Sequence, residues 1–119
     1  MPGIHEMAKE LGGALARTPE YQALKKAMDG ADDDRDLVEI RNRIKGLEEQ
    51  FEVALRAGQE PADDLKETYA TAAEELQSMA AFQRLVAAQS NFEKVMYKVN
   101  ETVAKGIEEG AQSRIIIAS

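Results

Sequence analysis

The chain has no cysteine and no tryptophan, one histidine, and only three phenylalanines and three tyrosines in 119 residues. Without cysteine there are no disulfides, no thiolate metal sites and no cysteine-held iron–sulfur clusters. That composition suits a reducing compartment. The single histidine, His5, lies next to the start of the chain, so Cys–His and Ser–His–Asp catalysis would lack a well-held base. The Glu-x-x-His pattern of di-iron bundles does not occur, and His5-Glu6 is followed by Met-Ala-Lys, not by the second histidine of a zinc-protease helix. Gly12-Gly13 has no preceding strand and no Lys-Ser/Thr beyond it, which removes the phosphate-loop reading. No apolar run approaches the roughly 20 residues of a membrane span. The opening residues Met1-Pro-Gly-Ile-His-Glu-Met lack the basic-then-apolar order of a signal peptide. Cytoplasmic localisation without membrane insertion is therefore expected.

Acid and alanine are what the chain has in quantity. Apolar residues make up 44% of it, but 19 of them are alanine, so large core-filling side chains are scarce. A monomer this lean buries little, and burial in a homo-oligomer, a dimer or tetramer, is the expected remedy. The net charge of −7 disfavours direct DNA binding and anionic lipid, both of which need cationic surface. A local strip of Arg35, Arg41, Arg43 and Lys45 is basic, but acidic residues are interleaved with it.

Apolar periodicity is helical throughout. Ile4, Met7, Leu11 and Ala14/Leu15 mark a first helix over residues 3–16, which Gly12-Gly13 should fray or bend at about 1 kcal/mol per glycine. Thr18-Pro19-Glu20 is a start signal for a short helix that Gly30 should end. Asp32-Asp33-Asp34-Arg35-Asp36 imitates a calcium loop. Counted from Asp32, however, the position needing glycine is Leu37, and counted from Asp29 the third position is Ala31. A capped, dipole-matched helix start is the better reading. Over residues 36–57, Leu37, Ile40, Ile44, Leu47, Phe51 and Ala54 form a heptad-like seam. Glu39/Arg43, Lys45/Glu49 and Glu52/Arg56 flank it at i,i+4. Gly58-Gln-Glu-Pro61 is a turn, with Pro61 opening a second long helix over residues 62–79, striped by Leu65, Tyr69, Ala72, Leu76 and Met79. Two rods with a short connection predict an antiparallel helical hairpin. Beyond it, a short helix beginning near Phe82, a cap at Ser90-Asn91 and a stripe of Phe92, Met96, Val99, Val103 and Ile107 are expected. Gly106 and Gly110 then mark a fraying end. The tail, residues 113–119, carries Ile115-Ile116-Ile117, which should seek burial in a helix groove.

The chain is thus read as all-α: a long antiparallel hairpin flanked by shorter helices in a single domain, residues 1–112, with an Ile-rich tail, residues 113–119, assembled as a dimer or higher oligomer. Met28, Met79 and Met96 read as core. The paired glutamates Glu48, Glu49, Glu74, Glu75, Glu108 and Glu109 read as solvated faces. No catalytic, cofactor or metal residue is assigned. The candidate interface is the hairpin seam: Leu37, Ile40, Ile44, Leu47, Phe51, Leu65, Tyr69 and Leu76.

One phrase occurs twice. Leu15, five residues, Tyr21-Gln22-Ala-Leu24, two residues, Ala27 is echoed by Leu76, five residues, Phe82-Gln83-Arg-Leu85, two residues, Ala88. Each copy reads as a helix end, a break and an aromatic-led new helix, with Tyr21 and Phe82 as matching plugs. Together with the acidic break, the long helix ending near Gln50-Phe51 and the stretch from Glu10 to Ala27, the set resembles the YlbF/YmcA family of small bacterial proteins over about residues 10–111. The resemblance implies an all-helical protein that forms dimers or higher assemblies. It also implies a non-enzymatic regulator acting with other protein subunits in an RNase Y-associated complex that influences mRNA processing, competence, sporulation and biofilm formation. Some complexes of that family hold iron–sulfur clusters through cysteines, which this chain cannot supply. The alternatives are an RNA-associated subunit using Arg41 and Lys45, and a helical metal-dependent hydrolase.

Overall fold

The computed structural model describes the backbone of residues 3–118 and the side chains of residues 3–112. It contains five helices and, among the described residues, no strand: α1 (Ile4–Ala16), α2 (Pro19–Asp33), α3 (Arg35–Arg56), α4 (Asp63–Ser78) and α5 (Ala80–Ala118). The all-α class is correct.

Helix boundaries follow local chemistry. Thr18, with extended backbone, accepts the Tyr21 amide at 3.1 Å and places Pro19 in the first turn of α2. Asp34 does the same for α3, accepting the Leu37 amide at 3.0 Å. The acidic run is thus a helix start, as its charge pattern suggests. At the other end of α3, Gly58 has φ 71°. Its amide reaches the Leu55 carbonyl and that of Gln59 reaches Ala54. This is a Schellman stop, which needs the left-handed conformation glycine adopts without a Cβ clash.

Four boundary expectations need correction. Gly30 does not end α2, which continues to Asp33 because Ala31 on the next position is buried at 1% exposure in the core; tertiary packing outweighs the glycine penalty. Gly12-Gly13, expected to fray or bend α1, lies within one continuous helix. Pro61 does not open α4; it sits two residues upstream, and Ala62 holds the cap position. At the break before α5 the Ser78 hydroxyl donates back to the Glu75 carbonyl at 2.7 Å, while Met79 takes the extended conformation. Ser90-Asn91 and Gly106/Gly110 do not break or end the last helix. The apolar stripe runs on through them, and none of these residues needs to leave helical φ/ψ. The break that both copies of the repeat share is therefore a joint between α1 and α2 in one case, and between α4 and the single long α5 in the other.

The helices pack in pairs. Tyr21 of α2 meets Phe92 of α5 edge-on at 5.4 Å, and Phe51 of α3 meets Tyr69 of α4 at the same separation. Arg43 of α3 reaches Glu75 of α4 at 3.6 Å. The two pairs join at a small core of Ala31, Leu37, Ile40, Leu47, Ala72, Ala81 and Leu85. Alanines let the backbones approach closely there. Among the described residues, Leu37 alone of the larger side chains is fully enclosed, at 0% exposure.

The molecule is long, with extents of 70 × 36 × 20 Å and a radius of gyration of 22.1 Å, against about 13–14 Å for a compact domain of this length. Its accessible surface is 9505 Å², roughly half again the ~6,400 Å² expected of a globular monomer of this mass.

Candidate protein-interaction surfaces

The eight seam residues divide into two groups. Leu37, Ile40 and Leu47 are buried in the chain's own core, and Ile44, Leu65, Tyr69 and Leu76 pack against it while keeping part of their surface exposed. Phe51 is half-buried. Phe51 and Tyr69 lie where α3 and α4 approach their connecting loop, and with Leu55, Glu48 and Glu52 they line a shallow depression of about 360 Å³. Leu55 is 67% exposed, so this tip offers apolar surface with a carboxylate edge. Glu52 is held by Arg56 one turn on, at 2.8 Å.

A larger groove, about 640 Å³, lies between α1 and α5. Leu11, Val95, Val99 and Val103 form its floor; Lys94, Lys98 and Thr102 form one edge; Glu20 and Asn91 complete it. The stripe of Ile4, Met7 and Leu11 on α1 is exposed, Ile4 at 83%, and on α5 Tyr97, Val103 and Ile107 are exposed as well, Ile107 at 68%. The sequence shows the periodicity of both stripes. It does not show that α1 leaves them apart, because amphipathic period alone does not say which stripe meets which. Val95, Lys94 and Lys98 went unnoticed for the same reason. Their signal is the i,i+4 lysine pair beside a valine ladder.

Sequence reading also misses the role of the repeated glutamine. Gln22 donates from Nε2 to the Ala16 carbonyl at 2.8 Å, and Gln83 donates to the Gln77 carbonyl at 2.9 Å. In each copy the side chain reaches back six residues to close the end of the preceding helix. The backbone echoes this, with Thr18 and Met79 amides bonding the Leu15 and Leu76 carbonyls. Both aromatics are half-buried, Tyr21 against Phe92 and Phe82 against the core.

In the basic strip, Arg43 turns to Glu75, not to its expected helix neighbour Glu39, and Arg41 lies 3.9 Å from Asp32. Two of the four cations of the strip thus face carboxylates. Among the described residues, no group of three or more His, Asp or Glu side chains converges as metal ligands would. No helix there is long and apolar enough to cross a membrane. The side chains of residues 113–119, including Ile115–Ile117, lie outside the described residues.

Fold and surfaces together define an elongated helical scaffold whose distinguishing features are apolar grooves with charged edges. The chain belongs to the YlbF/YmcA family, whose model, described as control of competence regulator ComK, matches residues 4–108. It is also similar to a UPF0342 protein of Lactobacillus gasseri, 22% identical over 107 residues, covering 90% of this chain and 92% of that relative. The family is thus described by control of a regulator, not by a reaction.

Proposed function

We propose that this chain is a non-enzymatic regulatory adaptor that self-associates and holds protein partners by helix packing, with the α3–α4 pair acting as an antiparallel hairpin. The carrying observation is surface. The accessible area of 9505 Å² exceeds that of a globular chain by about 3,000 Å², several times the ~800 Å² per partner of a standard interface. Much of the apolar part sits in organised stripes on α1 and α5. Isolated exposed leucines are ordinary, whereas contiguous apolar stripes are surfaces awaiting cover. The family description supports the regulatory half of this reading. The family resemblance adds its setting, a cytoplasmic RNA-processing complex of the RNase Y type. Light scattering after size-exclusion chromatography tests self-association: a dimer or tetramer is expected, and a folded monomer at micromolar concentration overturns it. Co-purification of endoribonuclease subunits from the native host tests the setting.

A further inference from the structure

Two depressions on this chain carry opposite charge at their edges. In the α1–α5 groove, Lys94 and Lys98 border the valine floor of Val95, Val99 and Val103. At the α3–α4 tip, Glu48 and Glu52 border Phe51 and Leu55. Each charged pair is spaced i,i+4, so both rise by one helical turn, about 6 Å. Lysines and glutamates at that common spacing can pair two at a time when the two helices lie side by side. The two surfaces share no residue: the groove is lined from α1, α2 and α5 and the tip from α3 and α4.

Resting on the self-association proposed above, we infer that the occupant of the α1–α5 groove is the α3–α4 tip of a second copy. Phe51 and Leu55 lie on the valine floor, and Glu48 and Glu52 pair with Lys94 and Lys98. A two-fold axis makes the contact twice, since the second tip then meets the first groove. In a chain of net charge −7 such local complementarity selects which faces meet against a general repulsion between copies.

Charge reversal tests this. K94E/K98E makes both partners of the contact acidic, and E48K/E52K makes both basic. Each variant alone is expected to raise the dissociation constant of the assembly by roughly tenfold or more, as like charges face each other. Mixing the two in equal amounts restores assembly, because both contacts of the mixed pair are again complementary. All four positions are exposed, and circular dichroism melts confirm that each variant is folded. A parent chain that is itself monomeric overturns self-association, and with it this pairing. A parent that assembles while both reversals assemble equally well overturns the pairing alone and leaves the groove to a different protein. Reversals that dissociate without rescue on mixing also overturn it, since the two surfaces then do not face each other. The absence of native cysteine allows a second readout: single cysteines at Glu52 and Lys94, mixed and oxidised, are expected to cross-link between copies.

Discussion

Between Leu24 and Leu85 the apolar residues of α2, α3, α4 and α5 meet in one cluster whose members are buried or half-buried. Beyond Phe92 the same periodicity continues along α5, yet Val103 is 50% exposed and every residue from 101 to 112 is exposed. The two regions have similar sequence character and opposite environments. Periodicity fixes which face of a helix is apolar; only the arrangement of helices decides whether that face is covered within the chain. The covered region is where stability resides, and the uncovered one is where association is expected.

Substitutions can break or sharpen that contrast. The largest effect is expected from Leu47→Asp, which puts a carboxylate with no counter-charge into the core; it should abolish the cooperative thermal transition seen by circular dichroism. Leu37→Ala leaves a cavity at a fully enclosed large side chain and is expected to cost about 3 kcal/mol in denaturant unfolding. If Leu37→Ala proves no more costly than an equivalent change on distal α5, the contrast fails. Asp34→Ala removes the cap that starts α3 and should cost about 1 kcal/mol. Ile107→Ser, in the uncovered region, should change the stability of the isolated chain by less than about 0.5 kcal/mol. A larger loss in the assembled protein would show that Ile107 is covered there.

Much of the fold is legible in the sequence. Thr18-Pro19 and Gly58 mark boundaries because each satisfies a specific backbone requirement, and the seam of α3 follows from the spacing of Leu37, Ile40, Ile44 and Leu47. The end of α2 was not legible, because Ala31 holds the helix past Gly30 through contacts distant in sequence. The continuity of α5 past Ser90 was likewise hidden, since a residue able to cap a helix does so only when the chain turns there. Of the candidate surface, the α3–α4 seam was visible as a stripe, but the burial of its central residues was not. The α1–α5 groove required knowing that Leu11 of α1 comes to line the same depression as Val95, Val99 and Val103 of α5, which neither stripe announces.

The single run of α5 has a mechanical consequence. At 1.5 Å per residue its 39 residues form a lever about 58 Å long, with Ala81, Leu85 and Ala88 clamped in the core and its neighbourhood and the groove residues farther out on the same rod. An unsupported helical arm exchanges its amide hydrogens through local fraying, while the clamped segment exchanges only when the fold opens. Seating any partner on the outer segment therefore does more than cover apolar surface. It extends the cooperative unit outward along the helix, so that occupancy of the groove would be recorded as slowed hydrogen exchange well beyond the residues in contact.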